Sequence, residues 1–536
     1  MAEAVAFPPQ GHATAAPRSP PPGLLAAASV GALLVLVPLV YTVLQAAQVG
    51  FAEAKALLLR PLVGELLFDT VAIVVATTLL AGLLGTVCAW MVERTVLPGR
   101  NVWGVLAAVP LAIPPFITSY AWVSLSASLQ DFAGALLVVT SAYFPLVYLP
   151  VAAALRGMDP VLEETGRSLG LGPWRCFIRV VLPQLRPALL GGMLLVALDV
   201  LVEFGAFTLL RFRTFTTELY AEYRTGFDGP DASLLAVVLI VLCMLCLLAE
   251  LRVRGAARYG RIARGTRRQA TPYALGAATL PVLAGFAALV VITLGVPLGT
   301  ILYWLTQHNA AAISPAGVSG PLLLSATLSS VSLGLGAAAL TMALALPLGF
   351  LAARYEGRMI TLLERAAYLG QGVPGIVVAL ALVSLTARAL QPLYQSAVLL
   401  IVAYAILFLP LALVSVRAAI VQAQRGLEDA GRSLGLGWAA VAWRVTLPIA
   451  GPGLGAAASL VFISVVTELT ATLLLAPIGT QTLATQVWAD TSTLAFAAAA
   501  PYATAMTALS LLSAWLLARR FGRVALLGEL ARERHG

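Results

Sequence analysis

Uninterrupted apolar stretches of about 20 residues recur along this chain, and that is the length a helix needs to cross a lipid bilayer. Residues 24–46 and 233–249 are two examples. Of the 536 residues, 60% are hydrophobic and only 11% are charged, whereas soluble globular proteins have roughly 25% charged residues. The sequence therefore predicts an all-α polytopic membrane protein.

About twelve membrane spans are predicted. The first six fall near 24–46, 65–92, 102–127, 134–155, 187–210 and 232–251, and the second six near 273–304, 323–353, 362–388, 396–417, 450–475 and 495–519. Residues 1–23 are polar and Pro-rich and are predicted to be a disordered tail. The apolar run after them is too long for the core of a signal peptide, so we interpret it as a retained anchor.

Basic residues concentrate in short segments between the apolar runs. Seven arginines and no acid lie between Arg252 and Arg268, whereas residues 306–321 contain no Lys or Arg. Arg-rich loops stay in the cytoplasm, so this pattern explains the net charge of +9 as topology rather than nucleic-acid binding. We expect a multi-pass protein of a bacterial inner membrane with both termini in the cytoplasm.

The chain contains an internal repeat. LEETGRSLGLG at 162–172 returns as LEDAGRSLGLG at 427–437, with nine of eleven positions identical, and Glu203 corresponds to Glu468 at the same offset of 265. We predict a first half at 24–251, a linker at 252–272, a second half at 273–520 and a cytoplasmic tail at 521–536. The repeated loop occupies 156–186 in the first half and 418–448 in the second. Because each half has an even number of spans, the halves are parallel and related by a pseudo-two-fold axis along the membrane normal.

Each repeated loop is predicted to form a helix, a glycine turn and a second helical run ending at Leu-Pro. Gly170 and Gly435 suit turn conformations that other residues resist, and Pro183 and Pro448 suit the start of a helix. An exposed helix pair of this kind is well shaped to dock in a groove of another protein.

The spacing Glu164, Gly170, Val180, Leu182, Pro183 resembles the EAA loop of ATP-binding-cassette importer permeases, and the second copy reads Asp429, Gly435, Val445, Leu447, Pro448. At the positions of the two alanines that follow the acid in that motif, the first copy has Thr165 and Gly166, and the second has Ala430 and Gly431. The resemblance implies the type I importer permease fold, with two parallel six-helix repeats.

In that family the loop is the coupling helix, which sits in a cleft of an ATPase subunit. By resemblance the coupling residues are Glu163, Glu164, Gly166, Arg167, Gly170, Pro183, Glu428, Asp429, Gly431, Arg432, Gly435 and Pro448. The four acids would be polar contacts to two ATPase subunits, and the two arginines are further candidates. The alternative is that these are ordinary solvated charges of a cytoplasmic loop.

ATP binding is expected on a partner rather than on this chain. A P-loop needs a lysine after glycine to hold the phosphates, and the only lysine is Lys55, in AEAKA. We therefore expect no catalytic residue and no cofactor on this chain, with ATP and magnesium bound by the partner ATPases.

The fused two-half arrangement resembles the permeases of ferric-iron importers, and also those for thiamine and some phosphonates. Residues 203–223, EFGAFTLLRFRTFTTELYAEY, look most like the iron group. The resemblance also implies a periplasmic binding protein that sets specificity.

Three carboxylates fall within predicted spans: Asp199 and Glu203 in the fifth, and Glu468 in the eleventh. Such groups are costly in lipid and normally face a cavity or a partner, and hard oxygen ligands suit Fe³⁺, so they are candidate translocation residues. The alternative is that they hydrogen-bond neighbouring helices or lie near the outer surface beside Arg211 and Arg213. No metal site is firmly assigned, since the three histidines are scattered and the four cysteines form no framework.

Two other classes of protein remain open. A secondary transporter also has twelve spans in two halves, but it would carry ion-coupling sites in the membrane and no repeated EAA-type loop. A membrane enzyme would need a convergent constellation such as a His/Asp metal set. Co-purification with an ATPase, or vanadate-sensitive uptake, would separate the importer from the secondary transporter.

Overall fold

The computed structural model describes residues 20–226, 229–256, 272–307 and 320–533, and within these ranges the protein is helical, with one isolated parallel bridge between Thr95 and Tyr273. Most of the predicted tail (1–23) and linker (252–272) lies outside the described residues. The first helix begins at Pro22, and the last helix continues into the predicted tail, to Glu533.

The helices follow the twofold pattern of the sequence. In the first half they are α1 (Pro22–Ala46), α2 (Phe51–Leu58), α3 (Pro61–Arg94), α4 (Arg100–Ala108), α5 (Pro115–Leu125), α6 (Phe132–Tyr143), α7 (Pro145–Gly157), α8 (Pro160–Ser168), α9 (Pro173–Cys176), α10 (Leu182–Val202), α11 (Gly205–Leu209), α12 (Phe215–Gly226) and α13 (Gly229–Ala256). In the second half they are α14 (Thr279–Val290), α15 (Val296–Thr306), α16 (Gly320–Arg354), α17 (Arg358–Leu369), α18 (Gly375–Ala389), α19 (Ala397–Gln422), α20 (Arg425–Ser433), α21 (Trp438–Val441), α22 (Leu447–Val466), α23 (Thr470–Leu475), α24 (Leu483–Ser492) and α25 (Phe496–Glu533).

Ten helices among the described residues are long and apolar enough to cross a membrane, and the number rises to twelve if two bent helix pairs each count as one span. This confirms the predicted all-α polytopic class. Three of these spans contain one π-helical turn between two α-helices, at Phe177–Val181, Val291–Gly295 and Ala442–Thr446.

The third and ninth spans are bent, which the sequence analysis did not anticipate. The helix axis turns by 91° between α4 and α5, and by 103° between α17 and α18. Ile113 and Val373 precede Pro114 and Pro374 and have extended backbones, with ψ of 116° and 113°. Since proline disfavours the helical conformation of the residue before it, the prolines end the first helix of each pair.

The fifth and eleventh spans differ from the predicted 187–210 and 450–475. Each begins earlier, at the end of its repeated loop, and each is broken before its expected end. The chain leaves α10 at Glu203 and forms the separate short helix α11, and it leaves α22 after Val466 before forming α23.

The two halves are interlocked through their first spans. The helix α1 packs along α16 and α17 of the second half as well as along α13 of its own half. In return, α15 of the second half packs along α5 of the first half. One apolar core therefore includes residues of both halves.

Glycines allow the closest helix contacts in the first half. A Cβ atom added at Gly192 of α10 would lie 2.8 Å from the Leu146 carbonyl oxygen and 2.9 Å from the Val147 Cα of α7. Both are backbone atoms, so the two helices can approach this closely only because Gly192 has no side chain.

We predict that Gly192→Ala lowers the thermal unfolding temperature of the purified protein, since α10 and α7 must separate to admit the methyl group. The neighbouring Gly191 is the matched control, because a Cβ there would meet nothing within 4 Å and alanine favours the helix by roughly 0.5–1 kcal/mol. An equal change in the two variants would contradict the close contact.

Candidate functional sites: paired hairpins and intramembrane carboxylates

The repeated loops form two helical hairpins, which we call the first hairpin (160–176) and the second hairpin (425–441). In the first, Gly170 has φ of +83°. Its N–H donates to Arg167 O at 2.9 Å, and Leu171 N–H donates to Gly166 O at 3.1 Å. These two bonds define a Schellman turn, in which glycine takes the left-handed conformation at the end of a helix.

The second hairpin repeats this turn. Gly435 has φ of +87°, its N–H donates to Arg432 O at 2.9 Å, and Leu436 N–H donates to Gly431 O at 3.1 Å. The predicted helix, glycine turn and helix are therefore confirmed in both copies.

The apex of each hairpin is apolar and exposed. Leu169 is 79% exposed and its repeat counterpart Leu434 is 83% exposed. Each leucine immediately precedes the turn glycine and follows a polar helix. Sequence analysis considered the charged residues, glycines and prolines of these loops and missed the two leucines.

A buried ion pair fixes the second hairpin to the membrane bundle. Glu428 is only 3% exposed, and its Oε1 accepts a hydrogen bond at 2.9 Å from Nε of Arg354, the last residue of α16. The Arg354 Nη2 donates to the carbonyl oxygens of Ile420 and Ala423, at 2.8 and 2.7 Å, at the end of α19. One arginine thus joins the hairpin to the ends of two spans.

The first hairpin has the corresponding pair. Glu163 is 2% exposed, and its Oε2 lies 3.5 Å from Nε of Arg94, the last residue of α3. Arg94 Nη2 donates to Leu155 O at 2.9 Å, near the end of α7. Glu163 Oε1 also accepts from Arg167 Nη2 and from the Tyr273 hydroxyl, both at 2.8 Å.

The four acids that were predicted to contact ATPases fall into two groups, one buried against arginines and one more exposed. The Glu163 and Glu428 carboxylates contact arginines of this chain, so an ATPase would reach them only if the pairs opened. Glu164 is half-buried, and the Asp429 side chain is 65% exposed and pairs with Arg432 at 3.1 Å. Contact with a partner therefore stays a prediction for all four.

The remaining predicted coupling residues shape the hairpins. Gly166 and Gly431 are buried where α8 and α20 face the returning chain, with a virtual Cβ 3.3 Å from Cys176 Sγ and 3.5 Å from Val441 Cγ2, respectively. Arg167 and Arg432 are half-buried.

The Leu-Pro pairs do not separate the hairpins from the spans. Pro183 and Pro448 lie in the first turns of α10 and α22, but each helix continues without a break from α9 or α21 through its π-helical turn. The wider turn accommodates prolines that have no N–H to donate.

The intramembrane carboxylate Glu203 lies at the break between α10 and α11. Its Oε1 accepts from Ala206 N–H at 2.9 Å and its Oε2 accepts from the Tyr143 hydroxyl at 2.6 Å. A carboxylate near a helix N-terminus satisfies free backbone donors and interacts favourably with the helix dipole.

Glu468 occupies the same position before α23. Its carboxylate accepts from the N–H groups of Ala471 and Thr472, at 3.0 and 3.3 Å, and from the Thr472 hydroxyl at 3.2 Å. Tyr404 lies 2.6 Å from that hydroxyl. A tyrosine is therefore associated with the carboxylate in each half, directly in the first and through Thr472 in the second.

The broken spans meet between the halves. A Cβ at Gly205 would lie 3.0 Å from both Leu469 Cδ2 of the second half and Phe116 Cβ of α5, and one at Gly375 would lie 3.2 Å from Glu468 Oε1. The two carboxylate-bearing segments thus adjoin each other and the bends of the third and ninth spans. Half-helix ends that meet within a membrane protein are typical of substrate passages in transporters.

Asp199 differs from the other two carboxylates. It lies one helical turn before Glu203 in α10 and is half-buried, and it makes no hydrogen bond or ion pair with any residue in the described ranges. Its counterpart in the second half, at the same offset of 265, is Ser464. In the same ranges, no group of three or more His, Cys, Asp or Glu lies close enough together to hold a metal ion.

Sequence analysis also missed Arg94, Arg354 and Tyr273. The two arginines lie 260 residues apart, the same offset as Pro114 and Pro374, so aligning the halves upstream of the loops would have paired them. Tyr273 has no counterpart in the other half, and nothing in the sequence marks it.

We predict that Glu428→Ala lowers the free energy of unfolding by about 3 kcal/mol, because it leaves the buried Arg354 charge without its partner. Asp429→Ala, at the adjacent exposed acid, should change it by less than about 0.5 kcal/mol. Denaturation of the two purified variants measures the difference. Equal losses would show that the buried pair does not hold the hairpin.

Comparison with known proteins agrees with this architecture. The family of binding-protein-dependent transport system inner membrane components matches the chain twice, at residues 81–313 and 345–523. The Fe(3+)-transport system permease protein FbpB 2 of Haemophilus influenzae is 36% identical over 94% of this chain and 99% of its own length.

Permeases of sulfate and molybdenum transport systems are similar over shorter stretches. The sulfate transport system permease protein CysT of Escherichia coli is 31% identical over 39% of this chain and 82% of its own length. The molybdenum transport system permease protein ModB of Escherichia coli is 29% identical over 26% of this chain and 66% of its own length. The chain belongs to the binding-protein-dependent transport system inner membrane component family, and it is a duplicated, multi-pass inner-membrane permease of an ATP-binding-cassette importer rather than an enzyme.

Proposed function

We propose that this permease moves ferric ion from a periplasmic binding protein into the cytoplasm, and that two separate ATPase subunits drive it through the two hairpins. Ferric ion is inferred as the cargo from the similarity to a Fe(3+)-transport permease across both halves, at 36% identity over 94% of the chain. The sulfate and molybdenum permeases match only 39% and 26% of the chain.

The hairpins support the coupling part of the proposal. Both present an exposed leucine at a rigid Schellman turn, and both are fastened to the ends of spans by a buried arginine. A small apolar apex with polar flanks suits insertion into a partner's groove, where a few buried apolar anchors carry most of the binding energy. Glu164, Asp429, Arg167 and Arg432 then form a charged rim around the apex, with the hairpins and both chain termini in the cytoplasm.

The converging breaks support a passage between the halves. Glu203 and Glu468 lie beside the contact between Gly205 and Leu469, and Asp199 lies one helical turn before Glu203. Carboxylate oxygens attract a cation and repel an anion. Glu203 and Glu468 also cap short helices, so their loss would disturb the backbone as well as the passage. Asp199 has no such structural bond and gives the cleaner test.

The proposal is tested by reconstituting the permease in lipid vesicles with the ATPase subunits that co-purify with it and the binding protein encoded beside it. We expect ATP-dependent uptake of radiolabelled ferric ion, and no uptake by the double variant Gly170→Val, Gly435→Val, because valine in the left-handed region costs at least 1–2 kcal/mol per site. Gly172→Val, Gly437→Val is the matched control, since these glycines also have open space around them but not a positive φ.

Uptake of sulfate, molybdate, thiamine or a phosphonate instead of ferric ion would refute the cargo, and normal uptake by the Gly170/Gly435 variant would refute coupling through the hairpins.

We predict that Asp199→Asn slows ferric uptake while the thermal unfolding temperature stays the same or rises, because the substitution removes a half-buried charge that forms no hydrogen bond. Ser464→Ala at the corresponding position of the second half should leave uptake unchanged. Unaltered uptake by the Asp199 variant would mean that this carboxylate is not on the cation's path.

A further inference from the structure

Tyr273 precedes the first helix of the second half but is held by the first half. Its N–H donates to Arg94 O at 2.8 Å, and its carbonyl oxygen accepts from Val96 N–H at 2.9 Å. These bonds form the parallel bridge between Thr95 and Tyr273. The start of the second half is therefore fixed beside the end of α3, next to the arginine that anchors the first hairpin.

The Tyr273 side chain reaches the hairpin itself. Its hydroxyl donates to Glu163 Oε1 at 2.8 Å and accepts from Arg167 Nε at 3.0 Å. The Arg167 guanidinium carbon lies 3.8 Å from the centre of the Tyr273 ring, within range of a cation–π interaction. Burial, followed by the hydrogen bond to the Glu163 carboxylate, raises the pKa of Tyr273 to about 12. The hydroxyl therefore remains a donor at physiological pH.

The second hairpin has a different support. The hydroxyl bound to Glu428 comes from Thr446, at 2.9 Å, in the π-helical turn that follows the same hairpin. The corresponding residue of the first half is Val181, which has no hydroxyl. Every described hydrogen bond and ion pair of Glu428 therefore comes from its own half, whereas Glu163 also depends on a residue of the other half.

We propose that Tyr273 is a positioning residue that makes the orientation of the first hairpin depend on the second half, whereas the described bonds of Glu428 hold the second hairpin to its own half. A shift of the segment that begins the second half moves the Glu163 and Arg167 side chains directly, and among the described residues no hydrogen bond or ion pair links Glu428 to the first half. The two hairpins are therefore mechanically unequal. The consequence for transport rests on the coupling role proposed above, but the inequality itself does not.

A crossed pair of hydroxyl deletions tests this on the full-length permease in lipid nanodiscs, without partners. Tyr273→Phe keeps the ring and removes the bonds to Glu163 and Arg167, and Thr446→Val removes the bond to Glu428. Hydrogen–deuterium exchange reports the local opening of each hairpin. We expect Tyr273→Phe to accelerate exchange about tenfold in residues 160–171, which is the size expected for the loss of one hydrogen bond to a charged group. Exchange in residues 425–436 should stay unchanged. Thr446→Val should do the reverse.

If Tyr273→Phe leaves exchange in 160–171 unchanged, or accelerates exchange in both hairpins equally, the proposal is wrong. A second readout uses the reconstituted importer, in which Tyr273→Phe should raise the number of ATP molecules hydrolysed per transported ion. The thermal unfolding temperature of the Tyr273→Phe variant should stay near that of the Thr446→Val variant. Failure of the wild type to transport would count against the proposed function, whereas the exchange result would stand independently.

Discussion

The buried arginine–glutamate pairs at the bases of the hairpins are the interaction on which the rest of the structure depends. Burying a charge is costly unless a partner and further hydrogen bonds replace its hydration, and that requirement restricts the geometry of every group involved. Arg354 meets it by bonding both Glu428 and two carbonyl oxygens at the end of α19. The direction of the hairpin is thus set by the positions of two membrane spans, and a displacement of one requires a displacement of the other. A loop held only by surface contacts would bend instead of transmitting force.

The bilayer imposes a second constraint at the other end of the same spans. Backbone groups that lose their helical partners inside a membrane must be satisfied within the protein, and each half contains two such breaks. Proline ends a helix at the bends of the third and ninth spans. At the breaks that follow α10 and α22, Glu203 and Glu468 accept from backbone N–H groups of the next short helix. Because these breaks adjoin one another between the halves, their irregular backbone is shielded from lipid.

Much of this could be predicted from the sequence, because its strongest signals are local. The length of the apolar runs predicted the spans. The repeat predicted both hairpins, including the turns at Gly170 and Gly435, because a polar helix followed by glycine has few conformations open to it other than a turn. The helix breaks were missed because Glu203 and Glu468 lie within runs that are apolar enough to continue as helices.

The partners of the charged residues were beyond local reasoning for a different reason. Glu163 looks like its neighbour Glu164 in the sequence, yet one is buried against Arg94 and the other is not, and residue 94 is about seventy positions away. That difference arises only when α3 and the hairpin pack together. The same holds for Asp199, whose lack of a hydrogen-bond partner among the described residues is a property of the assembled bundle.

Fusion of the two halves explains why their sites are free to differ. In an assembly of two identical chains, any contact to one hairpin would be repeated at the other. Here a single tyrosine can reach back to one hairpin only, and one half can carry Asp199 where the other carries Ser464. The repeat preserves what each half needs to hold its own hairpin, namely the arginine, the buried glutamate and the turn glycine. Departures from the repeat such as Tyr273 and Asp199 are therefore positions at which the two halves can take on separate tasks.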